Sequence, residues 1–327
     1  MFGTCLGNVW LMSEQCLAHV WGERGRFRRV TPKQTGEEKE KQSAALSSLV
    51  AAVVLTTFKI IVGTATGSLG ILAEAAHSGF DLVAAALTFV AVRISGRPAD
   101  RTHHYGHGKV ENLSAAAETL LLLLTCAWII REAVHRLVTH KVEIEVTFWS
   151  FAVMAVSIMI DVSRSRMLSR AAKKFNSQAL EADALHFETD VWSSAVVILG
   201  LACVKLGDWV PALGWLREAD AVAALGVSVL VIWVSWRLGR RTIDALVDSA
   251  PQGMDERIHA AVEGVAGVQN CHNIRVRYSG PVMFIDLHIL VDGRKTVFEA
   301  HALTETIEAA IQAIAPQADV TVHPEPF

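Results

Sequence analysis

Six apolar stretches of about 20 residues each constrain the fold of this chain more than any other feature. A helix of that length crosses the ~30 Å hydrocarbon core of a lipid bilayer. We place the candidate spans at 44–65, 70–93, 113–137, 146–163, 179–205 and 220–240. The sequence therefore predicts an all-α, six-helix transmembrane domain over residues 44–245.

The composition agrees with an integral membrane protein. Hydrophobic residues make up 52% of the 327 residues and charged residues only 19%, against ~25% in ordinary soluble domains. No basic stripe or nucleic-acid motif is present, so we expect no nucleic-acid partner. The five cysteines include no C-x-x-C pair, which argues against a disulfide framework and against a thiolate zinc cluster.

Lysine and arginine residues predict the orientation of the spans, because basic loops stay on the cytoplasmic side. They are concentrated in the link between spans two and three, in the link between spans four and five, after span six, and in residues 1–43. We therefore expect both termini in the cytoplasm, with residues 1–43 forming a largely disordered tail.

Residues 250–327 have the pattern of a soluble domain. Apolar periodicity predicts helices at Met254–Val265 and Phe298–Ala315. Alternating apolar residues predict strands at His272–Tyr278 and Val282–Val291, joined by a turn that contains Gly280 and Pro281, and Asp319–His323 is a closing strand. The order α-β-β-α-β predicts a small α+β domain of ferredoxin-like type.

Two of the apolar stretches each contain a His and an Asp four residues apart. His77 and Asp81 lie in span two, and His186 and Asp190 lie in span five. Four residues are about one helical turn, so each pair projects from one helix face. An ionisable group in hydrocarbon costs at least ~2.5–3.5 kcal/mol, and two imidazoles with two carboxylates suit tetrahedral Zn²⁺. The alternative is that His–Asp hydrogen bonds only hold helices together.

Glu74 and Asp183 lie one turn before each histidine. We expect them near the membrane surface and leave them out of the ligand set.

A third histidine-rich segment lies between spans two and three. It runs from Arg97 to Glu111, and the spacing of Asp100, His103 and His107 fits a metal site on a turn. The alternative is a solvated polar loop whose glycines make a tight turn.

The two His-x-x-x-Asp pairs and this loop together resemble the cation diffusion facilitator family, over roughly residues 44–327. The resemblance implies six spans, a metallochaperone-like cytoplasmic domain, a homodimer, and export of divalent metals in exchange for protons. A histidine at the position of His77 is associated with zinc-preferring members. The resemblance further implies a pair between Lys109 and Asp248, which would link the transmembrane and cytoplasmic parts.

The resemblance also implies a metal site in the C-terminal domain. Its candidate ligands are His272, His288, His301, His323 and Glu325. Some family members have Asp where Glu325 stands, so the reach of the carboxylate differs here. The alternative is a polar surface on a small dimerisation domain.

These features and the family resemblance predict a Zn²⁺/H⁺ antiporter that exports zinc from the cytoplasm across a bacterial cytoplasmic membrane. Zn²⁺ would be the transported substrate and a candidate regulatory ligand, and we expect no cofactor. No H-E-x-x-H motif is present, so we do not expect an enzyme. The alternatives are an Fe²⁺, Co²⁺, Cd²⁺ or Mn²⁺ exporter and a non-transporting metal-sensing scaffold.

Overall fold

The computed structural model describes residues 32–67, 69–139, 148–209, 219–316 and 318–327. Six long helices occupy the first part of these residues: α1 (Pro32–Thr66), α2 (Leu69–Ser95), α3 (Lys109–Thr139), α4 (Phe148–Phe175), α5 (Gln178–Trp209) and α6 (Ala219–Leu246). Helix α1 packs on α2 and α4, α5 packs on α3, α4 and α6, and α3 packs on α6. Five of the six predicted spans fall within one of these helices, and the fourth, 146–163, does so from Phe148 onward, because residues 146 and 147 lie outside the described residues.

The bundle exposes many large apolar side chains and buries several charged ones. Phe80, Trp128 and Trp236 are exposed on its surface, whereas Lys59, Glu118 and Asp183 are buried. A soluble helical bundle would have the opposite distribution, because exposed apolar surface is costly in water. This distribution therefore requires a lipid environment around the helices.

Within the described residues, three segments are long and apolar enough by themselves to cross a membrane. They are Gly36–Thr66, Glu74–Ser95 and Lys109–Arg131. Helix α5 carries Asp183, His186 and Asp190 within its length.

Helix α1 corrects the predicted start of the ordered chain. It begins at Pro32 rather than at residue 44, so the prediction of a disordered tail is wrong for residues 32–43. The physical reason is a buried contact: Lys41 donates a hydrogen bond to Glu111 of α3, and both side chains are almost completely buried. The remainder of the predicted tail, residues 1–31, lies outside the described residues.

The C-terminal part contains α7 (Met254–Glu263), β1 (Asn270–Ser279), β2 (Val282–Val291), α8 (Val297–Ile314) and β3 (Asp319–Pro326). Strand β2 lies in the centre, antiparallel to β1 and parallel to β3. Alternate residues of β2, including Ile285, Leu287 and Ile289, are buried against Ile258 of α7 and Ile307 of α8. The predicted order of helices and strands is confirmed.

The loop before α3 connects the helical bundle to the C-terminal sheet. Lys109 lies 2.8 Å from Asp248, as the family resemblance implied. The side-chain oxygen of Asn112 accepts a hydrogen bond from the backbone amide of Gly280 at 3.1 Å. Arg277 of β1 lies over the ring of Tyr105, 4.0 Å from its centroid. The turn between β1 and β2 therefore packs directly on the start of α3.

Candidate metal centres

The two His-x-x-x-Asp pairs meet inside the bundle. Helices α2 and α5 pack against each other, and the one-turn spacing of each pair places its two side chains on the facing sides. His186 Nε2 lies 3.1 Å from Asp81 Oδ1 and 3.7 Å from Asp190 Oδ2. His77 Nε2 lies 3.8 Å from Asp190 Oδ1 and 4.0 Å from Asp81 Oδ1. Each imidazole therefore contacts both carboxylates.

These separations are compatible with the edges of a coordination tetrahedron. Metal–ligand bonds of 2.0–2.2 Å in a tetrahedral zinc site place neighbouring ligand atoms roughly 3.3–3.6 Å apart. The ligand atoms of His77, Asp81 and Asp190 all lie within 4.8 Å of one another. His186 is not part of that closest group, but it approaches both carboxylates from the buried side. A small shift of the imidazoles around a cation would complete four-coordination.

Buried charged groups surround the four candidate ligands. Lys59 of α1 contacts Glu74 at 3.1 Å and Ser78 at 2.7 Å. Asp183 accepts a hydrogen bond from Ser48 at 3.2 Å and is completely buried. Asp183 is therefore enclosed within the bundle, beside α1.

Glu118 is a buried acidic residue that sequence reasoning missed. It lies on α3, is completely inaccessible, and accepts hydrogen bonds from Thr88 and Ser114. Its second oxygen has no hydrogen-bond partner among the described residues. The signal was present in the sequence as an acidic residue within the apolar span 113–137.

The loop between α2 and α3 brings Asp100, His103 and His107 together. Their ligand atoms lie within 4.8 Å of one another, with His103 Nδ1 at 3.3 Å and His107 Nε2 at 3.4 Å from the Asp100 carboxylate. The backbone amide of His103 and the hydroxyl and amide of Thr102 donate to Asp100 and hold its pKa below the usual range. Asp100 is therefore ionised and available to a cation.

The C-terminal sheet aligns three histidines across its strands. His272 of β1 pairs with His288 of β2, which pairs with His323 of β3, so all three lie in one row on one face. Glu325 contacts His288 at 2.8 Å, His272 at 3.2 Å and His323 at 3.9 Å. The hydrogen bond with His288 lowers the pKa of Glu325. The ligand atoms of His272, His288 and Glu325 form a group that could hold a metal ion.

His301 does not join this cluster within the chain. It lies near the start of α8, its side chain is 70% exposed, and its nearest charged neighbour is Glu305 on the same helix at 3.7 Å. Helix α8 buries Thr304, Ile307 and Ile311, whereas His301, one turn before Thr304, is exposed. The structure therefore separates His301 from the other four predicted residues of this site.

A lipid-facing helical bundle with a soluble C-terminal sheet and clustered metal-ligand residues defines a membrane protein that handles divalent metal ions. Residues 45–247 match the family model described as "Cation efflux transmembrane domain", and residues 251–327 match "Cation efflux protein, cytoplasmic domain". The chain belongs to the cation efflux family, also called the cation diffusion facilitators, and it is an integral membrane protein for efflux of divalent metal cations.

Similar proteins are found along most of the chain. It is 33% identical over 290 residues to the cation-efflux pump FieF of Cronobacter sakazakii, covering 86% of this chain and 92% of that protein. It is 32% identical to FieF of Yersinia enterocolitica, with 87% and 92% covered. A solved C-terminal domain of MamM is 31% identical over 23% of this chain and 98% of that domain, with a TM-score of 0.22.

Proposed function

We propose that this protein is a Zn²⁺/H⁺ antiporter that moves Zn²⁺ out of the cytoplasm. The observation that carries this proposal is the meeting of His77, Asp81, His186 and Asp190 between α2 and α5, with each imidazole next to both carboxylates. The metal is the transported substrate.

The mixed ligand set favours Zn²⁺ among the divalent metals. Two imidazole nitrogens and two carboxylate oxygens are common zinc ligands in tetrahedral sites, whereas Mg²⁺ and Ca²⁺ prefer oxygen ligands alone. The site contains no thiolate, which would hold zinc more tightly. A transporter requires moderate affinity because it must release its ion on the other side of the membrane.

The relation of the two domains supports the direction of transport. The C-terminal part matches a cytoplasmic domain model, and its β1–β2 turn hydrogen-bonds to Asn112 at the start of α3. The loop cluster of Asp100, His103 and His107 lies at that same end of the bundle. Both termini would then face the cytoplasm, and zinc would pass the loop cluster before it reaches the four intramembrane residues.

Proton exchange follows from the same residues. An imidazole titrates near pH 6.5 when unperturbed, and a protonated imidazole cannot ligate a metal. Protons on the far side would therefore compete with Zn²⁺ for His77 and His186 and promote its release. The protonated site would then return to the cytoplasmic side and complete one exchange cycle.

The C-terminal cluster would add a regulatory contribution. The family model of this part is that of a dimerising cytoplasmic domain, and we propose that the protein works as a homodimer in a bacterial cytoplasmic membrane. Zinc bound by His272, His288 and Glu325 would favour the arrangement of the domains that binds it more tightly. The size of this effect is set by the difference in zinc affinity between the two arrangements.

The test is zinc flux into proteoliposomes with a metal-sensitive dye inside and a pH-sensitive dye in parallel. We expect Asp81→Asn and Asp190→Asn each to abolish Zn²⁺ flux and the coupled pH change. Glu188→Gln is the matched control, because Glu188 is an exposed carboxylate of α5 and should retain full flux. Undiminished flux in both aspartate variants would refute the transport site. Zinc flux without a pH change would refute antiport, and tight zinc binding without flux would indicate a metal-sensing scaffold.

A further inference from the structure

A groove between α1 and α4 is not used by the metal sites. Its volume is about 700 Å³, and it is lined by residues from Glu40 and Ala44 on α1 and from Met159 to Phe175 on α4. This stretch of α4 is about 24 Å long at 1.5 Å per residue. The groove therefore reaches from the polar end of the bundle well into the depth of one membrane leaflet.

One end of the groove is basic. Arg166, Arg170 and Lys174 follow each other at intervals of one helical turn and line the same wall. Lys174 lies 2.6 Å from both carboxylate oxygens of Glu40, so these two charges neutralise each other. Arg166 and Arg170 are exposed, and neither has an ion-pair partner in the part of the chain that the structure describes. Two guanidinium groups therefore remain available to an anion.

The rest of the groove is apolar. Its lining includes Ala44, Met159, Val162 and Met167. Methionine side chains are flexible and fill irregular apolar spaces well. A ligand of this groove therefore needs an anionic end and an extended apolar part. The anionic end would lie towards the C-terminal end of α4, and the apolar part would lie towards Met159.

The basic end lies on the side of the C-terminal domain. Asn112 hydrogen-bonds both to Gln178, which begins α5 just after α4 ends, and to the amide of Gly280 in the β1–β2 turn. The end of α4 at Phe175 is thus level with the junction between the two domains. On the proposed orientation, Arg166 and Arg170 lie at the headgroup level of the cytoplasmic leaflet.

We propose that this groove binds one anionic phospholipid of the cytoplasmic leaflet. Its phosphate contacts Arg166 and Arg170, and one acyl chain lies along Met167, Val162 and Met159. Basic pockets between transmembrane helices on the cytoplasmic side suit anionic headgroups, and guanidinium groups suit phosphate because of their planar donor geometry. The bound lipid bridges α1 and α4 and so contributes to their packing.

The experiment counts lipids retained by the purified full-length protein in native mass spectrometry. The protein is titrated in detergent with phosphatidylglycerol or with phosphatidylcholine. We expect one phosphatidylglycerol to bind about tenfold more tightly than phosphatidylcholine, and Arg166→Gln/Arg170→Gln to remove this preference. Ala171→Trp, which fills the groove without changing its charge, should weaken the binding of the lipid.

The matched control is Arg237→Gln/Arg240→Gln, which removes two exposed charges of α6 that do not line the groove. It should retain the preference for phosphatidylglycerol. Equal binding of the two lipids, or an equal loss in the control, would overturn the proposal. Displacement of the lipid by millimolar inorganic phosphate would also overturn it, because the site would then recognise phosphate alone. The arginine and tryptophan variants are independent, so misfolding of one leaves the other to decide.

Discussion

His186 Nε2 on α5 lies 3.1 Å from Asp81 Oδ1 on α2, so these two helices meet through atoms that can ligate a metal. A cation placed between them would be shared by both helices. Any movement of α2 relative to α5 would then change the coordination of the ion, which is what an alternating-access transporter requires. On the proposed function, the contact joins the candidate metal site to the two helices that would move.

His77 and His186 differ in their surroundings, and this difference suggests where selectivity is set. The side chain of His77 is 39% exposed, whereas that of His186 is 5% exposed. A substitution at position 77 therefore disturbs less packing. We predict that His77→Asp lowers the ratio of Zn²⁺ flux to Mn²⁺ flux about tenfold, or about 1.4 kcal/mol. The reason is that a third carboxylate favours metals that accept oxygen ligands.

The measurement is competitive flux of metal pairs into proteoliposomes containing the wild type or the variant. Phe80→Leu is a suitable control, because Phe80 lies on the same helix and is exposed away from the bundle interior. An unchanged flux ratio in His77→Asp would show that His77 does not set the metal preference.

The second prediction concerns the cluster of His272, His288, His323 and Glu325 in the C-terminal sheet. It tests whether Glu325 and His301, both candidate ligands by sequence, contribute equally to metal binding. We expect Glu325→Ala to remove one bound Zn²⁺ per chain, because Glu325 contacts three histidines. His301→Ala should leave the number of bound ions unchanged, because His301 lies apart from the cluster. Metal analysis of the purified full-length protein after equilibrium dialysis measures both. Loss of the same ion in His301→Ala would place His301 in the site, by way of a second subunit.

The N-terminus of α8 gives a prediction about pH. Thr296 and Glu299 form a capping box, in which Glu299 accepts hydrogen bonds from the backbone amide and hydroxyl of Thr296. The backbone hydrogen bond is the main reason that the pKa of Glu299 is lowered from its ordinary value of 4.5. A lowered folded-state pKa means that this stabilisation is present above pH 4.5 and is lost as the pH falls through the folded-state pKa.

We therefore expect Glu299→Gln to melt at a lower temperature than the wild type near neutral pH, and the difference to disappear as the pH falls below about 4.5. Thr296→Ala should lower stability by about 1 kcal/mol near neutral pH, because the N-cap acceptor and the hydroxyl donor to Glu299 are both lost. Thermal unfolding followed by circular dichroism across this pH range measures both. A difference between wild type and Glu299→Gln that grows on acidification would contradict the assignment.

The sequence predicted the helices, the strands and most of the candidate ligand residues that the structure brings together, because each depends on local periodicity or on a short motif. Alternating apolar residues predict the strand at Val282–Val291. One-turn spacing predicts that His77 and Asp81 share a face of α2. Features that depend on contacts between distant parts of the chain could not be predicted in this way. The helical conformation of residues 32–43 depends on the burial of Lys41 against Glu111, 70 residues away, and the separate position of His301 depends on how α8 lies on the sheet. Neither leaves a local pattern in the sequence.

The last prediction concerns the contact between the bundle and the C-terminal sheet. Gly108 and Gly280 approach so closely that a Cβ atom on Gly108 would lie 2.2 Å from the backbone oxygen of Ser279. Gly108→Ala must therefore push the β1–β2 turn away and break the hydrogen bond from the Gly280 amide to Asn112. A hydrogen bond of this kind contributes about 1 kcal/mol, so the turn should exchange its amide hydrogens about fivefold faster. Hydrogen exchange with mass spectrometry on the full-length protein measures this rate.

Gly226→Ala is the matched control, because a Cβ atom there meets nothing within 4 Å, and it should leave exchange in the turn unchanged. Equal exchange in the Gly108 variant and the wild type would show that the two domains are not held together at this contact.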